Sequence, residues 1–163
     1  MELRPYAYGE DYPLIGSWIT DERTHALWCA RRFPWPLTRA GFEEKLKELG
    51  QNSGDMPFVA VTEAGAPVGF LCISPGPAPG ECRLKYVVID PERRGRGLGR
   101  EMAALAAERS GAETVRLAVF SVNLAARSCY ESAGFAVESE TEDVFSFREE
   151  RWGRCDMALR LPP

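Results

Sequence analysis

Residues 86–102 have the sequence YVVIDPERRGRGLGREM, in which an apolar run and an Asp-Pro corner precede a segment rich in arginine and glycine. Segments of this composition occur in disordered nucleic-acid-binding tails, and also in loops that hold phosphate groups at the start of a helix. The flanks separate the two cases. The run YVVI predicts a buried strand, and LGREMAALAAERSG puts Leu98, Met102 and Leu105 on one face of a helix that Gly111 ends. The stretch therefore predicts a strand–loop–helix unit.

A loop of this kind can bind a diphosphate. The first backbone N–H groups of a helix have no partner within the helix, and the helix dipole adds partial positive charge there. Glycines lack the β-carbons that would keep a diphosphate away from those N–H groups. Arg93, Arg94, Arg96 and Arg100 can supply charge to the same place. We therefore predict a phosphate-binding helix N-terminus, with a plain solvated turn as the alternative.

Two familiar phosphate-binding motifs do not match the loop. A P-loop needs GxxxxGK[ST], and the chain has no Lys-Ser or Lys-Thr pair. A dinucleotide-binding fingerprint needs GxGxxG, but after Gly97 and Gly99 the third glycine position holds Met102. The loop also follows several predicted strands instead of opening the domain. Neither a P-loop nor a Rossmann domain is expected.

The composition is that of an ordinary globular protein. With 163 residues, 45% hydrophobic and 27% charged, we expect one domain that spans residues 1–163. The net charge is −4 and the pI about 5.2, whereas a dedicated nucleic-acid-binding protein usually carries a basic excess. The chain also lacks the interleaved aromatic residues that single-strand binding needs. We expect no nucleic-acid partner.

The N-terminus and the cysteines indicate the cellular setting. MELRPYAYGEDY lacks the apolar segment of a signal peptide, and no apolar run approaches the roughly 20 residues of a membrane span. The five cysteines are scattered, without a CxxC pair, which is typical of neither a disulfide framework nor a zinc site. We expect a cytoplasmic protein without a membrane association or a bound metal.

The hydrophobic pattern predicts a mixed α/β domain. The expected order of elements is β-α-α-β-β-β-α-β-α-β-β, with antiparallel strands early and a strand–helix–strand unit in the middle. Residues 24–38, THALWCARRFPWPLT, are expected to be an irregular connection with some turn or helix content, because two prolines interrupt them. The predicted strands and helices are 2–6, 12–19, 38–50, 56–63, 66–74, 82–90, 98–111, 113–120, 123–134, 135–141 and 156–161.

Two motifs together resemble the GNAT superfamily of N-acetyltransferases. Residues 94–99, RGRGLG, match the pattern [RQ]-x-x-G-x-[GA] between a strand and an apolar helix. Residues 122–135, VNLAARSCYESAGF, are similar to the later helix of the family, where asparagine opens the helix, tyrosine follows seven residues on and Gly-Phe closes it. The motifs cover about residues 84–135. The resemblance implies a single domain with a central, mostly antiparallel sheet, a splayed parallel strand pair and flanking helices.

The resemblance also implies acetyl-CoA as co-substrate and assigns residues to it. The strand residues Val87, Val88 and Ile89 would pair through their backbone with the pantetheine arm, and one strand N–H would point at the thioester oxygen. Asn123 would contact the arm, although it is also suited to be only a helix N-cap. Tyr130 would stand beside the sulfur as general acid, with a packed aromatic as the alternative. The pyrophosphate loop comprises Arg94, Gly95, Arg96, Gly97, Leu98, Gly99 and Arg100.

The general base is where the chain departs from the family pattern. Some members carry a glutamate seven residues before the Asp-Pro corner, where this chain has Arg83. Others carry one five residues before the asparagine, where this chain has Ala118. Glu81, Glu22, Asp21 or a chain of water molecules remain as alternatives, and an acceptor amine with a modest pKa would need no dedicated base.

The early aromatic residues are candidates for the acceptor pocket. Trp28, Phe33 and Trp35 lie in the segment from which the family builds that pocket, although packing between the early helices explains them equally well. Phe145 and Trp152 are further candidates. Alternation predicts that Arg83 and Lys85 share a face of their strand with Val87 and Ile89, so that Arg83 could bind an anionic group of the acceptor. The single histidine, His25, is expected to be structural.

The sequence therefore predicts an N-acetyltransferase that acts by direct transfer to a primary amine of a small molecule or peptide. The alternative is a non-catalytic acyl-CoA-binding sensor of the same fold, which the two replaced glutamates favour. The acceptor and the preferred acyl chain stay open, and so does the choice between monomer and homodimer.

Overall fold

The computed structural model describes all residues from 1 to 163, and seven strands form one mixed sheet. The strands are β1 (Glu2–Pro5), β2 (Met56–Val61), β3 (Pro67–Pro75), β4 (Glu81–Ile89), β5 (Thr114–Phe120), β6 (Ala136–Phe147) and β7 (Glu150–Arg160). Their order in the sheet is β1-β2-β3-β4-β5-β7-β6. Only the pair β4/β5 is parallel, because α4 and the loop before it connect these two strands in a crossover.

Helices cover both faces of the sheet. They are α1 (Tyr12–Ser17), α2 (Glu22–Cys29), α3 (Arg39–Ser53), α4 (Leu98–Ser110) and α5 (Leu124–Ser132). Met102, Ala106 and Tyr130 from α4 and α5 join the core on one face, and Ile15, Phe42 and other residues of the first three helices join the core on the other. No helix combines the length and the apolar character that crossing a bilayer requires.

The predicted fold class is confirmed, but one helix was missed. Residues 22–29 form α2, a regular helix that overlaps the segment 24–38, for which an irregular connection with only some turn or helix content was expected. Asp21 caps this helix by accepting a hydrogen bond from the N–H of Thr24 over 2.7 Å, and Ala30 ends it in a left-handed conformation (φ 51°). The helix is short and ends just before Pro34 and Pro36, so its pattern spans only two turns.

Several element ends also differ from the prediction: α1 ends at Ser17, two residues early, and β7 begins at Glu150, six residues before the predicted start. Helix α3 continues past Gly50 to Ser53 and stops at Gly54, which has a φ of 72°. Strand β6 runs to Phe147 instead of ending near residue 141. Most of its residues are exposed, so the apolar alternation that would reveal a strand is absent and pairing with β7 alone defines it.

A β-bulge reverses the faces of β4. Phe70 of β3 lies opposite Val88, and Cys72 lies opposite Lys85, so that Tyr86 and Val87 together face Leu71. Tyr86 has a φ of 55° there. The side chains alternate normally on each side of this point, but the phase changes across it.

The bulge makes one sequence prediction wrong. Cys82 and Leu84 join the core under α4 and α5, whereas after the bulge it is Val87 and Ile89 that pack against that core. Arg83 and Lys85 therefore project from the opposite face to Val87 and Ile89, instead of sharing a face with them. Lys85 reaches the buried carboxylate of Asp55 over 3.2 Å on the α1–α3 side.

The parallel strand pair separates after three rungs. Pairing between β4 and β5 joins Glu81 to Thr114, Cys82 to Val115 and Arg83 to Arg116, and then ends. Beyond Arg116 strand β5 pairs only with β7. The rest of β4, residues 84–89, consequently borders a gap in the middle of the sheet, as the predicted splayed pair requires.

Candidate active site

The loop between β4 and α4 opens toward solvent at the helix N-terminus. Gly97 is the N-cap of α4, with a φ of 76°, and Gly95 has a φ of 78°. A β-carbon at either position would find no atom within 4 Å. Both glycines therefore serve left-handed backbone turns and leave the space above the first helical N–H groups free. This geometry fits a bound diphosphate.

Gly99 serves a different purpose from the one expected. A β-carbon there would lie 2.9 Å from Sγ of Cys129 and 3.6 Å from Cγ1 of Ile89. The missing side chain thus lets the first turn of α4 approach α5 closely. Gly99 therefore allows α4 and α5 to pack closely, whereas the open space beside the loop lies at Gly95 and Gly97.

The arginines of the loop differ in their partners. Arg93 lies 3.6 Å from the carboxylate of Asp90. Arg94, Arg96 and Arg100 are exposed, and no carboxylate lies within ion-pair distance of them. Their positive charge is uncompensated within the chain, which is the arrangement that an anionic ligand requires.

The backbone of β4 presents hydrogen-bonding groups to the gap. The N–H of Asp90 bonds the carbonyl oxygen of Val68 in β3 over 2.9 Å. Because successive residues of a strand alternate, the N–H and C=O of Ile89 point away from β3 toward the gap, and Val88, paired with Phe70, points back to β3. Val87 precedes Val88 and follows the bulge, so its backbone also lies outside the β3 ladder. Val87 and Ile89 are therefore the suitable partners for an extended ligand, and Val88 is not.

Asn123 is the N-cap of α5, and Tyr130 lies seven residues later in the same helix. Asn123 caps the helix by accepting a hydrogen bond from the N–H of Ala126 over 3.3 Å. Tyr130 is 8% exposed and belongs to the same core cluster as Leu84, Leu117 and Val119, which border the gap from both sides. Burial raises the pKa of the Tyr130 hydroxyl above its ordinary value, and the adjacent Cys129 thiol adds to this effect. The phenol is a proton donor at neutral pH.

The early aromatic residues separate into core and surface. Phe33 is 1% exposed and stacks between Trp28 and Phe42, at ring distances of 4.9 Å and 5.1 Å. It is a core residue, as the packing alternative required, and its burial is against its role as a candidate substrate contact. Trp28 is half-buried and donates its indole N–H to the carbonyl oxygen of Tyr86, whereas Trp35 is 38% exposed.

The other candidates from this region are also packing residues. Trp152 is fully buried, and its ring stacks against Phe145 and Phe147 at 5.4 Å. His25 is 1% exposed, and burial lowers the pKa of its imidazole. Its position agrees with the structural role expected from the sequence.

The carboxylates considered as general base are engaged elsewhere. Glu81 accepts two hydrogen bonds from Arg116, at 2.9 Å and 3.1 Å, which lower the pKa of its carboxyl. Hydrogen bonds from Thr24 lower the pKa of Asp21, and Glu22 lies 3.5 Å from Arg148. Asp21 and Glu22 line a cavity of about 380 Å³ between α2 and the β6–β7 turn. None of the three lies beside the gap.

A smaller cavity lies where the β4/β5 ladder ends, and it contains residues that the sequence motifs did not reveal. Its volume is about 180 Å³. Its lining consists of Pro77, Arg83, Arg116, Leu117, Asp156 and Met157. Asp156 enters the site because β7 pairs with β5, a relation between strands distant in sequence that no local pattern encodes.

Comparison with known proteins agrees with this geometry. The model of the acetyltransferase (GNAT) family matches residues 21–135. The chain belongs to the acetyltransferase (GNAT) family, and it is an acyltransferase by that membership. The matched segment contains the splayed strands, the glycine loop and α5, which belong to the candidate site, but not β7 with Asp156.

Solved structures of N-acetyltransferases share the fold over the whole chain. A spermidine N-acetyltransferase from Vibrio cholerae, solved with CoA and spermine, has a TM-score of 0.80 at 18% identity and covers 97% of this chain and 94% of its own. A ribosomal-protein-alanine N-acetyltransferase from Brucella melitensis has a TM-score of 0.76 at 20% identity and covers 99% and 100%. At these identities the likeness establishes the fold.

Proposed function

We propose that this GNAT protein transfers an acetyl group from acetyl-CoA to a primary amine by direct attack, with Tyr130 as general acid. One observation carries the proposal. The gap between β4 and β5 has the free helix N-terminus of α4 at one end and the buried phenol of Tyr130 in the core beside it. When bound, acetyl-CoA would supply an activated thioester. The residues of the chain would bind the cofactor, position the amine and transfer the protons.

The chain offers groups for each part of the cofactor. The N–H groups at the start of α4, together with Arg94, Arg96 and Arg100, would hold the phosphates. The backbone of Val87 and Ile89 would hold the extended arm in the manner of an added strand. Asn123 sits at the end of β5 where the arm would pass, and its capping bond to Ala126 uses only one of its polar groups.

Tyr130 is suited to the departure of the thiolate. A free thiol has a pKa near 8.5, so the leaving sulfur gains from a hydrogen-bond or proton donor close to it. The raised pKa of Tyr130 keeps its hydroxyl protonated when the reaction occurs. The hydroxyl has no other task in the core, since no side chain or backbone group of the protein binds it.

The similar enzymes support an amine as acceptor. Those named after spermidine and after ribosomal-protein alanine both act on amino groups, by their names, although the two acceptors differ greatly. A non-catalytic acyl-CoA-binding protein is the second candidate. It is favoured by one observation, namely that Arg83 and Ala118 occupy the two positions where a catalytic glutamate was expected.

The experiment is a thiol-release screen of acetyl-CoA against classes of primary amines, with Tyr130→Phe beside the wild type and CoA affinity measured separately by calorimetry. We expect turnover with at least one class. Tyr130→Phe should lower kcat by about 100-fold, the usual size of an acid–base contribution, with CoA affinity within about twofold. Tight CoA binding without turnover on any amine would establish the second candidate, and an unchanged kcat would remove Tyr130 from the acid role.

A further inference from the structure

The cavity at the end of the β4/β5 ladder contains a carboxylate beside a position where this chain lacks the glutamate of the family pattern. Ala118 of β5 lies directly opposite Asp156 of β7. Directly opposed residues share a face of the sheet, with β-carbons about 5 Å apart. Asp156 therefore presents a carboxylate next to the place where Ala118 offers only a methyl group.

The position of Asp156 along β7 and the face of the sheet that it occupies place it on the side opposite α4 and α5, where we expect the acceptor to bind. Its neighbours Cys155 and Met157 are buried in the core under α4 and α5, so alternation puts Asp156 on the other face. Its partner Ala118 lies two residues beyond Arg116, the last rung of the ladder. Two residues of strand span about 7 Å, so Asp156 lies next to β5 at the level where the gap begins, and it lines one cavity together with Arg83 of β4.

The charged side chains that line the cavity differ in whether they are already paired and so in whether they can bind a charged ligand. Arg116 is neutralised by Glu81 and Glu138. Arg83, which also lines the cavity, has no carboxylate within ion-pair distance. Asp156 meets Arg154 at 3.2 Å and Ser139 at 3.1 Å. An ion pair as exposed as that with Arg154 contributes little stability, so Asp156 can exchange it for a bound cation.

We propose that this cavity binds the acceptor as a small amine that carries an anionic group, a carboxylate or a phosphonate, within a few bonds of the nitrogen. Asp156 holds the ammonium group and receives its proton, and Arg83 holds the anion. The volume of about 180 Å³ lies below the roughly 300–1,000 Å³ of sites for drug-sized ligands, which favours an acceptor of amino-acid size. This inference rests on the proposed acetyl transfer.

The reaction balances with these groups. The ammonium group gives one proton to the carboxylate of Asp156, directly or through one water molecule, and becomes a neutral amine. The nitrogen lone pair then forms the new C–N bond with the acetyl carbon. As the C–S bond breaks, its electron pair stays on sulfur, and the phenol of Tyr130 supplies the proton that makes the thiol. The second proton of the attacking nitrogen leaves to solvent. Asp156 then loses its proton and Tyr130 regains one by exchange with solvent, so that each turnover releases one proton in total.

The first test compares acceptors that differ only in the anionic group. Small amino acids and aminophosphonates are offered to the wild type in the thiol-release assay, each beside the same amine without its acidic group. We expect kcat/KM to be at least 10-fold higher for the acidic member of a pair, because a charge-assisted bidentate contact is lost with the other.

The second test separates Arg83 from Asp156. Arg83→Gln should raise the KM of the acidic acceptor about 10-fold or more, while kcat/KM for the uncharged partner amine stays within about twofold. Asp156→Asn should lower kcat about 100-fold near pH 7, with recovery as the pH approaches the pKa of the amine, because free amine then needs no base. Arg39→Gln and Glu149→Gln, which remove exposed charges outside the cavity, are the matched controls.

CoA affinity, measured by calorimetry for every variant, shows that the fold is intact. If amines without an acidic group are acetylated as well as their acidic partners, the inference is wrong while the acetyltransferase proposal stands. An Asp156→Asn variant with the wild-type kcat and pH profile removes the proton-accepting role. If the wild type binds CoA but acetylates no amine, the proposed function itself fails and this inference fails with it.

Discussion

Trp28 of α2 donates its indole N–H to the backbone carbonyl oxygen of Tyr86, the bulge residue of β4, over 2.8 Å. Tyr86 has a φ of 55°, a left-handed conformation that costs a non-glycine residue about 1 kcal/mol or more. The hydrogen bond satisfies a carbonyl that the bulge turns away from the β3 ladder. Helix α2, which was not evident from the sequence, thus stabilises the bulge in β4, and the bulge leaves the backbone of Val87 free to face the gap.

Removal of this hydrogen bond should destabilise the protein. Trp28→Phe keeps an aromatic ring for stacking on Phe33 but leaves the carbonyl of Tyr86 without its donor. We expect a loss of about 1–3 kcal/mol in the free energy of unfolding, measured by urea titration, since an unsatisfied buried carbonyl costs that much. Trp35→Phe, at an exposed site, is the control and should change stability by less than about 0.5 kcal/mol. Equal effects of the two substitutions would show that the bulge does not depend on Trp28.

The order of elements, apart from α2, could be predicted from the sequence because it follows from local signals. The run YVVI, the corner at Asp90 and the apolar face of α4 lie within one continuous segment, so hydrophobic period and turn chemistry were sufficient there. The bulge at Tyr86 left no such signal, because a tyrosine is an ordinary strand residue and only the pairing with β3 shows the extra residue. The faces predicted for Arg83 and Lys85 relative to Val87 and Ile89 were wrong for this reason.

The site could be predicted in part for the same physical reason. Gly95 and Gly97 form left-handed turns within one short loop, so their spacing in the sequence was enough to predict that loop. Gly99 and Asp156 owe their places to contacts with Cys129 and Ala118, which belong to other elements. The neighbours that tertiary structure gives a side chain are not visible in one sequence, so for Phe33 a pocket and core packing remained equally open.

Gly99 should be sensitive to substitution because of Cys129. A methyl group at position 99 would lie 2.9 Å from Sγ of Cys129, so Gly99→Ala should destabilise the protein by about 1–3 kcal/mol through overpacking. Cys129→Ala removes the sulfur and should relieve most of that loss in the double variant. A double-mutant cycle in urea measures the coupling. Additive effects would mean that the two residues are not in contact, and would return Gly99 to a role in cofactor access.

Gly97 should affect cofactor binding beyond its effect on the backbone. Gly97→Ala places a side chain at a φ of 76°, with a strain of about 1 kcal/mol, and adds a methyl group above the first N–H groups of α4. Gly65→Ala is the matched control, because Gly65 has a φ of 83° and equally open surroundings in the β2–β3 turn. Both variants should lose similar stability, but only Gly97→Ala should weaken CoA binding, by about 10-fold or more in calorimetry. If both variants bind CoA like the wild type, the helix N-terminus is not the phosphate site.

Asp11 should make the stability of the N-terminal region depend on acid pH. Burial opposes ionisation of its carboxyl, but hydrogen bonds from Arg4 and from the N–H of Ala7, with the charge of Arg4, outweigh burial and lower the pKa. A lowered folded-state pKa means that the stabilisation is present above the unfolded-state pKa near 4 and is lost as the pH falls through the folded-state value. Asp11→Asn should therefore cost about 1–3 kcal/mol at pH 7, and the difference from wild type should shrink below about pH 4. Asp143→Asn, which removes an exposed ion pair with Arg151, should cost almost nothing at either pH.

The pH profile of kcat should show whether Tyr130 is the proton donor. Burial raises the pKa of Tyr130, so its hydroxyl stays protonated beyond the pH near 10 at which an ordinary tyrosine is half ionised. Because Asp156 accepts the proton of the bound ammonium group in the proposed reaction, we expect the wild-type kcat, with a saturating acceptor, to remain level from neutral pH to about pH 10. Tyr130→Phe should lower the plateau without changing its shape, whereas Tyr8→Phe, at an exposed tyrosine, should leave both unchanged. A different result would contradict this role: if the wild-type kcat begins to decrease with rising pH before about pH 9.5, and the Tyr130→Phe kcat does not, the phenol ionises too easily to act as the acid over this pH range.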